Sequence, residues 1–274
     1  MEMPYQDVLP LILMMLATGI VGGVLAGLLG VGGGIVIVPV LELTLGILGV
    51  DPAIRMHIAV ATSLAVIIPT SISSTRAHHG KGAVDFSLVR NWGVPILAGA
   101  ALGTWIASKS DSSTLAAIFA VVALLVALKM ILPLEGKTIT PDVPSGLAGK
   151  SIPLAIGTLS SMMGIGGGTF SVSALTLMSK PIHMAVGTSA LFGLLISLPG
   201  TAGFIVTGWG HPDLPAGSLG FVNIIGFAFI SPMTVLAAPY GAKMAHALSQ
   251  RHLSIAFGFF LFLVGMRMVY RALV

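Results

Sequence analysis

Apolar runs recur along almost the entire chain and constrain its fold more than any other feature. A helix needs about 20 apolar residues to cross a bilayer. Only 8% of the 274 residues are charged, against about 25% in soluble domains. This composition argues against a soluble enzyme, a nucleic-acid-binding protein or a disordered chain, and it predicts an all-α integral membrane protein in a lipid bilayer. The runs lie at about 9–29, 33–50, 55–75, 89–108, 114–133, 149–163, 167–179, 183–207, 219–247 and 251–272.

Some of these runs are too short for a full crossing, which predicts broken or re-entrant helices among about 8–10 membrane segments. The clearest cases are 33–50, 149–163 and 167–179. The most polar stretch lies near the middle of the chain and predicts a linker at 134–148. That linker would separate a first transmembrane repeat at 1–133 from a second at 149–274.

The two halves of the chain share four short patterns in the same order, which indicates an internal repeat. Such a duplication is typical of secondary transporters. With five segments per half, nine lysines and arginines fall on one side and four on the other, which favours an inverted repeat with both termini outside. The matching segments are 30–34 with 164–168, 59–64 with 185–190, 103–107 with 241–245, and 129–130 with 267–268.

Each half contains a cluster of four glycines in five positions, which is unsuited to a helix interior because glycine costs about 1 kcal/mol relative to alanine there. The clusters should therefore be turns. An apolar stretch follows each one, so each turn should precede a helix N-terminus, where free N–H groups and a partial positive charge bind anions. The predicted substrate-binding residues at these turns are Gly30, Gly32, Gly33, Gly34, Gly164, Gly166, Gly167, Gly168 and Thr169.

Helix packing is the alternative explanation for these glycines, since small residues four apart allow close helix contact. Gly30 and Gly34 satisfy that spacing. Gly19, Gly23 and Gly27 form a longer series that predicts a packing face.

Two Thr-Ser pairs occupy equivalent places in the repeat, at Thr62-Ser63 and Thr188-Ser189. A hydroxyl there could donate to a bound anion, or it could bond to a carbonyl one turn back. Because the pairs recur beside the glycine turns, we include all four residues in the predicted substrate site.

Glu42 is the one acid placed well inside an apolar run, where charges are costly and often functional. It is a candidate for proton coupling, and the alternative is that it marks a helix end. Arg267 is expected to extend to the membrane interface. The sequence has no cysteine and no metal-binding or hydrolase motif, so it predicts no metal, no cofactor and no enzymatic activity.

The glycine turns at 27–34 and 163–168, together with the paired Thr-Ser segments, resemble the TauE/SafE family of sulfite and organosulfonate exporters. The resemblance covers about residues 9–272. It implies a multi-pass protein of the cytoplasmic (inner) membrane that moves sulfur-containing anions outward.

Together these features predict a secondary transporter that exports sulfite, sulfoacetate or a related sulfonate by alternating access. An importer or a channel for other small anions, an intramembrane enzyme and a structural scaffold are the alternatives. Assembly into a homo-oligomer stays open.

Overall fold

The computed structural model describes residues 5–30, 32–132, 146–245 and 250–273, which form ten α-helices and one short β-hairpin. The predicted linker 134–148 lies outside these residues except for its last part, where a helix begins at Gly146. The helices are α1 Tyr5–Leu29, α2 Gly34–Ile47, α3 Pro52–His79, α4 Phe86–Lys109, α5 Ser112–Ile131, α6 Gly146–Met163, α7 Gly168–Leu177, α8 Ile182–Thr207, α9 Ile224–Met244 and α10 Gln250–Leu273.

Five of the described helices are long and apolar enough to cross a membrane, namely α1, α3, α5, α8 and α9. The two helices that follow the glycine turns, α2 and α7, are shorter apolar helices. This confirms the prediction of an all-α, multi-pass membrane protein.

One predicted apolar run does not begin as a helix. The run at 219–247 starts in a two-stranded antiparallel hairpin, with β1 at Ser218–Leu219 and β2 at Val222–Asn223. Between the strands, Gly220 has a φ of 54° and closes the turn. The helix α9 therefore begins only at Ile224, after Asn223 accepts a hydrogen bond from the N–H of Gly226 and caps it.

Small residues allow α1 to pack closely along α9. A Cβ on Gly23 would lie 2.6 Å from the carbonyl oxygen of Thr234, and a Cβ on Gly27 would overlap that of Ala238. On α4, Gly103 faces the backbone of Thr158 on α6 in the same way. The packing role predicted for the series that contains Gly23 and Gly27 is therefore confirmed.

The other helix contacts match between the two predicted repeats, in which α3 corresponds to α8, α4 to α9 and α5 to α10. α3 packs against α8 at the centre, and α5 packs against α10. The contact of α4 with α8 corresponds to the contact of α9 with α3. The α1–α2 hairpin ends near the start of α3, where Glu42 meets Arg55, and the α6–α7 hairpin ends beyond the other end of α3, where Lys180 meets Asp85. A duplicated, inverted chain would produce this arrangement, and the inverted repeat stays a prediction.

Candidate functional site

The first glycine turn joins α1 to α2 through left-handed backbone. Gly30 and Gly32 have φ values of 67° and 73°, and Gly33, which caps α2, has φ 77° and ψ −10°. Residues with a side chain pay roughly 1–2 kcal/mol in this conformation, whereas glycine does not. The predicted helix break is therefore present, and α2 begins directly after it at Gly34.

The second turn repeats this geometry between α6 and α7. Gly164 has a φ of 68°, and Gly167 caps α7 with φ 72° and ψ −10°. The two caps thus have nearly the same conformation, and α7 begins at Gly168. The glycines of both turns that were predicted to bind substrate are all buried.

The two turns contact each other at the centre of the protein. Ser63 Oγ on α3 donates a 2.7 Å hydrogen bond to the carbonyl oxygen of Gly164. A Cβ on Gly34 would overlap that same oxygen, and one on Gly32 would lie 3.4 Å from the Cα of Gly166. The N-termini of α2 and α7 therefore meet at one buried place, next to α3.

Several hydroxyl groups in this region are buried and have no hydrogen-bond partner within the described part of the chain. They include Thr169 Oγ1 and Ser171 Oγ in the first turn of α7, and Ser189 Oγ on α8. An unsatisfied buried hydroxyl costs about 1–3 kcal/mol. These three groups are therefore free to donate to a ligand.

Two further buried hydroxyls without a partner among the described residues were not predicted from the sequence. Ser160 Oγ lies 3.4 Å from the place where a Cβ on Gly167 would stand. Ser71 Oγ lies 2.6 Å from a Cβ built on Gly193, a position that is also 3.0 Å from the carbonyl oxygen of Gly166. The serine pair directly before the second turn was a usable signal for Ser160. Ser71 carried no such signal, because only the packing of α3 against α8 brings it to the turn.

The threonines of the two Thr-Ser pairs each hold a helix start in the other half of the chain. Thr62 Oγ1 accepts from the N–H of Asn223, the N-cap of α9, at 2.9 Å. Thr188 Oγ1 accepts from the N–H of Asp85, the N-cap of α4, also at 2.9 Å. Each threonine hydroxyl thus has a structural contact, and its role in substrate binding stays a prediction.

Asp85 is held by a network of donors at the same end of the molecule as Lys180. Lys180 Nζ lies 3.0 Å from Asp85 Oδ2. Partial burial would raise the pKa of Asp85, but hydrogen bonds from Ser87, Lys180 and the N–H of Leu88 outweigh it and lower the pKa from 3.8 to about 2. Asp85 is therefore ionised at neutral pH, and its contact with Lys180 ties the chain after α7 to the start of α4.

Glu42 lies among three arginines at the opposite end. Arg267 Nη2 and Arg271 Nε each lie 3.1 Å from its carboxylate oxygens, and Arg55 Nη1 lies 3.5 Å away. Instead of extending alone to the interface, Arg267 also donates to the carbonyl oxygen of Pro39. The structure therefore places Glu42 away from the glycine turns, and its proton-coupling role stays a prediction. Within the described residues, no group of three His, Asp or Glu could hold a metal ion.

Comparison with known proteins agrees with this architecture. The family model of the sulfite exporter TauE/SafE matches residues 15–268. A probable membrane transporter protein of Haemophilus influenzae is 35% identical over 94% of this chain and 97% of its own length. A relative in Methanocaldococcus jannaschii, also named a probable membrane transporter, is 26% identical over 98% of both chains.

No solved structure matches the chain. The match to the family model covers nearly the whole length of this chain, and the relatives named above are matched almost end to end. The protein therefore belongs to the sulfite exporter TauE/SafE family and is a multi-pass membrane transporter.

Proposed function

We propose that the protein is a secondary transporter that exports small sulfur-containing oxyanions, such as sulfite, sulfoacetate or a related sulfonate, across the cytoplasmic membrane. The contact between the two glycine turns carries this proposal. It brings two helix N-termini, at Gly34 and Gly168, to one buried place. Each N-terminus offers N–H donors and about half a positive charge, so an oxyanion could be held there without a cationic side chain.

The unpartnered hydroxyls support the same site. Thr169, Ser171 and Ser189 have buried oxygens with no acceptor among the described residues. A hydroxyl that donates to a charged acceptor contributes about 1.5–3 kcal/mol. A bound oxyanion would therefore satisfy these groups and offset their cost of burial.

The preference for sulfur rests on the family, since phosphate or a carboxylate could use the same donors. The direction follows from electrostatics. With a negative interior, moving an anion outward is favourable by about 2.3 kcal/mol per charge per 100 mV. Export therefore needs no ATP, and proton coupling through Glu42 is an additional element of the proposal.

Access to the site would alternate as the two halves rock about the glycine turns. The Asp85–Lys180 pair and the Thr188 contact to Asp85 close one end of the molecule, while the Thr62 contact to Asn223 lies at the other. The Asp85–Lys180 ion pair is suited to open and close during the cycle, whereas the two threonine contacts hold helix starts and would be kept.

Flux from proteoliposomes tests the proposal. Vesicles loaded with 35S-sulfite should release it faster when the imposed potential favours anion movement out of the lumen, and the rate should saturate with sulfite concentration. A current too large for a carrier would indicate a channel and would contradict alternating access. Accumulation against the potential would instead indicate an importer.

A binding screen in detergent tests the site itself, with sulfite, thiosulfate, sulfoacetate, taurine and phosphate as ligands. Ser189→Ala should weaken sulfite binding by about 1–3 kcal/mol, because it removes a free donor. Ser108→Ala is the matched control, because the Ser108 hydroxyl already donates to the carbonyl oxygen of Trp105. Equal affinities in the two variants would contradict the role of Ser189.

A further inference from the structure

A pocket of about 480 Å³ lies at the end of the molecule where α3 begins, apart from the glycine turns. Its charged walls are Arg55 on α3, Glu42 on α2, and Arg267 and Arg271 in the last two turns of α10. We call it the arginine pocket. Glu42 stands eight residues after Gly34 on the same helix, which separates the pocket from the turns by about 12 Å.

The charges in the arginine pocket do not balance. Three guanidinium groups surround one carboxylate, at 3.1, 3.1 and 3.5 Å. The carboxylate of Glu42 is only 2% exposed, whereas the side chains of Arg55, Arg271 and Arg267 are 16%, 20% and 40% exposed. The described residues therefore give the pocket a net charge of two positives beside low-dielectric walls, where unpaired charge is costly.

The guanidinium groups also have donors to spare. Each carries five N–H groups in a planar fork that matches oxyanion geometry. Arg55 uses two for the carbonyl oxygen of Val50. Arg267 and Arg271 each use one for Glu42 and one for a backbone carbonyl. Three donors per arginine therefore have no hydrogen-bond acceptor among the described residues.

We propose that the arginine pocket is a second oxyanion-binding site, at the membrane face where α3 begins. Its volume lies in the range of about 300–1,000 Å³ that holds small molecules. Leu43, Ile47 and Tyr270 add apolar wall that suits an organic part beside the charged oxygens. On the predicted topology this face is the outer one. The oxyanion is either a soluble anion or the phosphate of an anionic lipid, since both present the same charged oxygens.

Direct binding measurements test this inference. The probe is 35S-sulfate, measured by equilibrium dialysis of the full chain in a neutral detergent without added lipid. Replacing both Arg267 and Arg271 by glutamine should weaken sulfate binding to the arginine pocket at least about tenfold, because each lost guanidinium removes charge-assisted donors. We call the sulfate binding that is lost in this variant arginine-dependent binding. Arg90→Gln is the control, because Arg90 is an exposed arginine on α4 outside the pocket.

A lipid arm distinguishes the two sources. The same variants are placed in nanodiscs with phosphatidylcholine alone or with added phosphatidylglycerol, and retained lipid is counted by native mass spectrometry. Retention of phosphatidylglycerol that depends on Arg267 and Arg271, without sulfate binding, assigns the pocket to lipid phosphate. Sulfate binding that depends on them assigns it to a soluble oxyanion. If neither probe depends on these arginines, the proposal is wrong.

Glu42→Gln separates a ligand site from a merely structural ion cluster. Removing the carboxylate leaves three positive charges unpaired, so the Tm should fall. If the pocket takes oxyanions, sulfate should restore the Tm more than chloride at equal ionic strength, and sulfate affinity should rise several-fold. No sulfate-specific rescue would count against the site. Because the pocket lies away from the glycine turns, Gly34→Ala should leave arginine-dependent binding intact, so this inference and the transport proposal can fail separately.

Discussion

Gly34→Ala is the sharpest test of the contact between the two glycine turns. Gly34 is the first residue of α2, and its φ is not positive, so alanine meets no backbone strain there. The added methyl would overlap the carbonyl oxygen of Gly164 and lie 2.9 Å from Ser63 Oγ and 3.0 Å from Ile67 Cδ1. The turns must therefore move apart by roughly 1 Å before the new carbon reaches an ordinary contact with that oxygen.

The magnitude of the effect follows from two opposing contributions. Overpacking a filled interior costs about 1–3 kcal/mol. Alanine in place of glycine in a helix returns roughly 0.5–1 kcal/mol. We therefore expect a net loss of about 1–2 kcal/mol in the free energy of unfolding. Transport should suffer more, because a displacement of about 1 Å in a preorganised site can cost about a hundredfold in rate.

The assay compares Gly34→Ala with Gly22→Ala, measuring Tm, sulfite affinity and proteoliposome flux for both. Gly22 lies in α1 behind the first turn, and a Cβ there would be 3.4 Å from Ile37 Cγ1 and 3.6 Å from the carbonyl oxygen of Gly33, which are ordinary contacts. Gly22→Ala should therefore keep wild-type flux. If Gly34→Ala retains wild-type affinity, or if its flux falls only as far as its amount of folded protein, the glycine turn serves packing alone.

Three further predictions concern the contacts around the turns. The lowered pKa of Asp85 stabilises the fold fully above its usual value of 3.8, and this stabilisation should be lost as the pH falls toward about 2. In thermal unfolding, wild type and Asp85→Asn should therefore differ by about 2 kcal/mol in stability at neutral pH. The two stabilities should converge near pH 2. Thr62→Val leaves the N–H of Asn223 without its acceptor, so the Tm should fall by the equivalent of about 1–3 kcal/mol. Ser63→Ala should lower the Tm more than Ser189→Ala, because Ser63 Oγ donates to the carbonyl oxygen of Gly164 whereas Ser189 Oγ has no partner among the described residues.

The helices and their breaks were predictable because their causes are local. The apolar runs at 33–50 and 167–179 became the short helices α2 and α7, and both begin directly behind the glycine clusters. Left-handed backbone strongly favours glycine, as at Gly33 and Gly167, so each cluster of glycines in the sequence predicts a turn. The failure at 219–247 had a local cause as well, since Gly217 and Gly220 both have positive φ and the hydropathy of the run hid the turn between them.

Contacts between distant parts of the chain were not predictable in this way. Glu42 and Arg267 lie 225 residues apart, and hydropathy gives no sign that α10 ends against α2. The contact of Thr62 with Asn223 likewise joins α3 to the start of α9 across 161 residues. Periodicity and propensity report what a segment does on its own, whereas these pairs depend on which helix faces which.

The repeated residues do not make the same contacts in both halves, and this bears on the proposed transport cycle. Thr62 and Thr188 keep matching roles, because each accepts from the N-cap of a helix in the other half. Ser63 and Ser189 differ, since Ser63 bonds to the second glycine turn and Ser189 has no partner among the described residues. In a duplicated carrier the two access states should exchange the conformations of the halves. The threonine contacts would then persist through the cycle, while the serine contact passes from one turn to the other and leaves one hydroxyl in each state free for the anion.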